Sequence, residues 1–140
     1  MKKILLLCAI LINGFVYSAD IATEQAGDWN DANTWGIAGI PTSLDNITIN
    51  HNVVLTAGDN RSVNSLTVNA DKTLTLNSEL TVATNSVNSG TMYINADGEY
   101  SQTAGTFTNN WYIYGYAGAI IELGSSVSSF SNNGPIFLYS

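Results

Sequence analysis

The carboxylates that could do chemistry in this chain sit at repeated corners. Leu66-Thr67-Val68-Asn69-Ala70-Asp71 and Met92-Tyr93-Ile94-Asn95-Ala96-Asp97 share one pattern of apolar, outward residue, apolar and Asx turn. If Asp71 and Asp97 stack in adjacent coils, the pair offers oxygen ligands for Ca²⁺ or an acid and base for glycoside hydrolysis. The competing reading is turn chemistry, in which Asn and Asp side chains bond the nearby backbone. Turn chemistry is favoured, because no other spacing in the chain resembles a ligand loop. His51 is the lone histidine, in Asn50-His51-Asn52, with no second histidine nearby to complete a metal site, and reads as a solvated corner residue. Arg61 and Lys72 are the only cations beyond residue 19, too few for lyase chemistry on acidic sugars. The chain is therefore expected to be a non-enzyme with no catalytic residue, no metal and no cofactor.

Contact chemistry is better supplied. Apart from Trp29 and Trp35, every aromatic residue after position 19 lies at or beyond Tyr93, whereas only Glu122 carries charge after Glu99. One half is charged and the other aromatic. With the central residue of each strand cue facing outward, the expected ladder is Thr48, Thr67, Tyr93, Tyr112 and Phe137. In-line aromatic residues on neighbouring strands stabilise cross-strand pairing, and an exposed row of them also fits sugar rings or another protein surface. Thr73-Leu74-Thr75 is too isolated a threonine pair to argue for an ice-binding face.

These residues need elements that stack. Ile47-Thr48-Ile49, Leu66-Thr67-Val68, Met92-Tyr93-Ile94, Trp111-Tyr112-Ile113 and Ile136-Phe137-Leu138 repeat one strand cue at spacings of 19, 26, 19 and 25 residues. Strands of a meander or sandwich return faster, whereas such intervals hold the two or three short strands of one solenoid coil. Thr73–Leu76, Glu99–Gln102 and Ile120–Leu123 read as a second face. Val63, Leu80–Val82, Phe107 and Val127 or Phe130 read as a third. Apolar residues alternate throughout with Thr, Ser and Asn, the period of half-buried strands. The expected fold is all-β: a single-stranded parallel β-helix (β-solenoid) of about five coils, with an N-terminal cap containing Trp29 and Trp35.

Residues 1–19 read as a secretory signal peptide. Lys2 and Lys3 precede an apolar run from Ile4 to Val16, which Asn13 and Gly14 interrupt and which falls short of a bilayer span, and Ser18 and Ala19 offer small residues for cleavage. Without the leader, two cations face eleven acids, a balance that phosphate backbones and anionic lipid repel. No nucleic-acid partner is expected, and no membrane span in the mature chain. Cys8, the only cysteine, leaves with the leader, so backbone pairing and core packing must hold the exported form.

Residues 20–44 then form the cap segment and 45–140 the solenoid. The order Gly27-Asp28-Trp29, Thr34-Trp35, Pro41 and Asp45-Asn46-Ile47-Thr48-Ile49 resembles the start of secreted bacterial β-helix surface proteins of the adhesin-like or filament-forming kind. The resemblance covers about residues 27–82 and implies a β-helix, export to the cell surface and, for many members, no catalysis. The closing strand Ile136-Phe137-Leu138-Tyr139 lacks a charged gatekeeper, and bare strand edges are templates for pairing. The expected function is therefore a subunit of an extracellular filament or surface layer, self-assembled head to tail into a homopolymer through Ile136, Leu138, Tyr139 and the ladder residues Tyr93, Tyr112 and Phe137. The alternative is a small secreted adhesin or carbohydrate-binding module that uses the same aromatic residues on a glycan.

Overall fold

The computed structural model describes residues 18–36 and 39–140; the proposed leader, residues 1–19, falls almost wholly outside them. Strands dominate because short runs with period-two apolar alternation recur between Asx and Gly corners. They are β1 (Asp20–Ala22), β2 (Gly27–Asp28), β3 (Asn46–Ile49), β4 (Val53–Leu55), β5 (Arg61–Val63), β6 (Ser65–Val68), β7 (Thr73–Leu76), β8 (Glu79–Val82), β9 (Ser86–Asn88), β10 (Thr91–Ile94), β11 (Glu99–Asn109), β12 (Ile113–Gly115), β13 (Ile120–Asn132) and β14 (Ile136–Leu138). One short helix, α1 (Ala32–Trp35), interrupts the first turn.

Among the described residues all strand pairs are parallel, and they keep register from one turn to the next except where β11 meets β13. Three faces result. The first stacks β1, β3, β6, β9 and the second halves of β11 and β13; the second stacks β2, β4, β7, β10, β12 and β14; the third stacks β5, β8 and the first halves of β11 and β13. β11 and β13 each run as one strand that bends from the third face to the first, and the register shifts between Gln102 and Ala104 and between Gly105 and Thr106 mark the bend. Gly105 adopts φ 75° there, and a Cβ would sit 2.7 Å from the Thr84 carbonyl oxygen.

The chain is a β-solenoid of about four turns. Four coils carry all three faces, and β1 and β2 at one end, and the second half of β13 with β14 at the other, add partial ones. The five strand cues, however, do not share a face. Ile47 and Leu66 lie on the first face, Met92, Ile113 and Ile136 on the second. Thr73–Leu76 belongs to the second face and not with Glu99–Gln102, while Phe107 and Phe130 belong to the first and not with Val63. A single physical cause underlies these corrections. Every face shows the same alternation and ends in a similar polar corner, so local pattern does not say which face a strand occupies.

Inward residues form one continuous core, in which Ile47, Leu66, Leu74, Leu80, Met92 and Ile113 are among those almost fully buried. Polar residues join it where apolar ones stop. Asn88 donates through Nδ2 to Asn109 Oδ1 at 2.8 Å, and Asn109 donates in turn to Asn132 Oδ1 at 2.8 Å. The Asn109 amide is thereby satisfied from both neighbouring turns, while Asn88 Oδ1, at the start of the ladder, is buried without a partner. Trp29 and Trp35, the last residue of α1, are buried at the opposite end, edge to face with centroids 4.8 Å apart. Asp31 caps α1 by accepting from the backbone N–H of Asn33 at 2.9 Å.

Candidate contact surface

The second face places the aromatic residues. In β10, Met92 and Ile94 point into the core and Tyr93 points out; in β12, Ile113 and Gly115 point in and Tyr114 points out. Register then sets Val54, Thr75, Tyr93, Tyr114 and Phe137 in one column. Tyr93 and Tyr114 stack with ring centroids 5.1 Å apart, and Tyr114 and Phe137 with centroids 5.3 Å apart. A second column sets Tyr116 on Tyr139 at 5.4 Å. Tyr112 leans on Tyr114 at 5.8 Å, and Trp111 meets Tyr112 edge to face at 4.9 Å.

The ladder expected from sequence is thereby corrected. Thr48 and Thr67 stand in a separate column on the first face, followed by Val87, Thr108 and Ser131. Tyr112 is one step out of the Tyr93 column, because β12 begins at Ile113 and Trp111 belongs to the corner, where it is half exposed. Tyr114 and Tyr116 complete the surface and were absent from the expected ladder. Their signal lies in the sequence: Tyr112, Tyr114 and Tyr116 alternate with period two, as do Phe137 and Tyr139. Of the expected contact residues, Tyr93, Tyr112, Phe137 and Tyr139 share this face. Ile136 and Leu138 instead pair with Ile113 and Gly115 on the inward side of β14, where Leu138 is 75 % exposed at the edge of the last turn.

Stacking decides what the surface offers. Tyr114 is covered on both ring faces by Tyr93 and Phe137, so what it shows outward is ring edge and phenol hydroxyl. Burial, followed by the phenol groups of Tyr93, Tyr112, Tyr139 and Tyr116, pushes the Tyr114 hydroxyl above the ordinary tyrosine range. From Thr73 to Tyr139 the outward positions of the second-face strands carry no charged side chain. Charge lies on the third face, where Glu79 and Glu99 are opposite each other. Burial, then Glu79 and Glu122, raises the Glu99 carboxyl above its usual range.

The other candidates are dispersed. Asp71 lies in the corner between β6 and β7, which joins the first face to the second, and Asp97 in the corner between β10 and β11, which joins the second to the third. The two do not stack, because their matching hexapeptides occupy different faces. Among the described residues no three His, Cys, Asp or Glu side chains gather as a metal site. His51 is a corner residue, as expected, but is tied down: its Nδ1 lies 2.9 Å from the Thr23 carbonyl oxygen, which makes that nitrogen the protonated one. Arg61 donates through Nε to Asn30 Oδ1 at 2.8 Å, away from Lys72. No described helix is long and apolar enough to cross a membrane.

No protein-family model matches this chain, and no curated protein or solved structure does so either.

Proposed function

We propose that this protein is a non-enzymatic structural subunit, exported by residues 1–19, that associates with further copies outside the cell through the aromatic second face. The observation that carries this reading is the array of Tyr93, Tyr112, Tyr114, Tyr116, Phe137 and Tyr139, stacked in columns on an uncharged face. With two cations against eleven acids once residues 1–19 are removed, copies repel one another over most of their surface. The aromatic face is free of that repulsion and adds apolar area to be buried. It is also continuous with the exposed edge residues Leu138 and Tyr139.

The glycan reading ranks below this one. Sugars stack on open ring faces, and Tyr93 and Tyr114 spend theirs on each other and on Phe137. Head-to-tail growth is the second mode of assembly, favoured by one feature. β1 and β2 at one end, and β13 and β14 at the other, each pair on one side only among the described residues, and all strands run parallel. A second copy stacked in that sense continues the same ladder.

Sedimentation and negative-stain microscopy of the purified protein test the proposal. Concentration-dependent assembly is expected, lost in the double variant Tyr114→Lys and Tyr116→Lys with circular dichroism unchanged. Monomers at every concentration, or assembly untouched by the two lysines, overturn the aromatic-face contact. Single-file filaments that survive the lysines but not deletion of 136–140 favour the head-to-tail mode.

A further inference from the structure

Two tyrosine pairs are held together by register. Tyr93 and Tyr114 lie with ring centroids 5.1 Å apart and planes inclined by 19°, and Tyr116 and Tyr139 repeat the arrangement at 5.4 Å and 18°. We propose that these pairs are sites of oxidative phenol coupling, where a haem peroxidase supplied with hydrogen peroxide joins successive turns through dityrosine. Each phenol loses one electron to the oxidant and its hydroxyl proton to water. The two phenoxyl radicals then form a carbon–carbon bond between ring positions ortho to oxygen. The two displaced ring hydrogens leave as protons while the oxygens are reprotonated. In sum, two tyrosines and one hydrogen peroxide give one dityrosine and two waters; the tyrosines are oxidised by two electrons and the peroxide is reduced.

Coupling of phenoxyl radicals is limited by their meeting, and rings fixed about 5 Å apart have already met. Selectivity follows from the surroundings. Tyr116 and Tyr139 are 41 % and 50 % exposed, open to an oxidant, whereas Tyr100 is buried and hydrogen-bonded to Gln102. Met92 is buried and does not compete. Tyr112 has no tyrosine in register in a neighbouring turn, because Thr91 precedes Met92 as Tyr112 precedes Ile113; its near tyrosine is Tyr114 at 5.8 Å, on the same peptide 100–122, so a link there joins no two peptides. A chain with one cysteine forms no disulfide of its own, and dityrosine would supply a covalent link between turns in its place. The inference does not depend on the proposed assembly, because each pair lies within one copy.

The test treats the purified full-length protein, at a dilution where it is monomeric, with peroxidase and hydrogen peroxide. Cleavage after denaturation at Glu24, Glu79, Glu99 and Glu122 puts Tyr17, Tyr93, the Tyr100 to Tyr116 group and Tyr139 on separate peptides. Dityrosine fluorescence is expected, with peptide 80–99 joined to 100–122 and 100–122 joined to 123–140, each lighter by two hydrogens. Tyr114→Phe keeps the stack and should cut the first junction to what Tyr93 and Tyr116, 6.5 Å apart, can form; Tyr116→Phe should cut the second to what Tyr114 and Tyr139, 6.4 Å apart, can form. No coupling, coupling only between chains, or junctions undiminished in the phenylalanine variants would overturn the assignment.

Discussion

Trp35 donates its indole N–H to the backbone carbonyl of Trp29 across 2.7 Å, and the two rings meet edge to face. This contact closes the first turn, with both side chains at most 1 % exposed. Trp35→Phe keeps most of the apolar volume but strands the Trp29 carbonyl in the core. A buried acceptor left without its donor costs about 1–3 kcal/mol. Urea unfolding followed by tryptophan emission should show that loss, and Trp35→Ala should cost about 3–5 kcal/mol. An unchanged midpoint for Trp35→Phe would mean that water reaches the carbonyl.

The asparagine ladder predicts a contrast between two neighbours. Asn109 is fully buried and bonds both Asn88 and Asn132, while exposed Asn110 accepts from Asn133 at 3.0 Å. Asn109→Ala should lower unfolding free energy by about 2–3 kcal/mol, because it orphans an amide in the core. Asn110→Ala should stay within about 0.5 kcal/mol. Equal effects in chemical denaturation would show that the buried ladder is not a stabilising element.

Gly90 marks a corner where two turns approach closely. A Cβ there would stand 2.3 Å from the Lys72 carbonyl oxygen and 2.5 Å from that of Asn69, both backbone atoms. Gly90→Ala should destabilise by about 1–3 kcal/mol, the usual cost of overpacking. Ser89→Ala, half exposed beside it, is the control and should change little. Thermal melts of the two variants compare them directly.

Tyr100 predicts a response to alkali. Burial raises its phenol well above the ordinary tyrosine value of 10.0, against which the hydrogen bond with Ser86 acts only in part. Unfolded chains lose the Tyr100 proton from about pH 10 upward while folded chains retain it. Stability from this group is therefore complete below about pH 10 and falls as pH rises toward the folded value. Tyr100→Phe should flatten that part of the decline in urea midpoints measured from about pH 9 to 11. A slope identical to that of the unsubstituted protein would assign the decline to the exposed tyrosines.

Much of the fold was legible because burial follows period-two alternation. Ile47 and Ile49, Leu66 and Val68, Leu74 and Leu76, and Leu80 and Val82 all point inward as their spacing requires. The solenoid, the polar corners and the buried tryptophans followed from the same signals. Face assignment was not legible, because Val68-Asn69-Ala70-Asp71 and Ile94-Asn95-Ala96-Asp97 are equally good corners for different edges of the coil. The apolar triplet at Trp111 also hid the alternation of Tyr112, Tyr114 and Tyr116, which only register reveals. Ser86, Asn88, Gln102 and Asn109 broke the apolar pattern at buried positions. Asn88 and Asn109 find their partners in neighbouring turns, while Ser86 and Gln102 bond each other and Tyr100 across the core, links that apolar alternation does not encode.

The parallel register has a consequence for how such a chain can change length. A turn inserted between β6 and β9, or between β10 and β12, meets the same kind of edge above and below. It lengthens the rod by about 4.8 Å and leaves both neighbours' pairing intact. A single residue inserted within a strand must be absorbed as a bulge, as happens where β13 passes β11, or it moves the strand's side chains between inside and outside. Natural variation in this protein should therefore come in whole-turn steps, a ruler marked by its own hydrogen bonds.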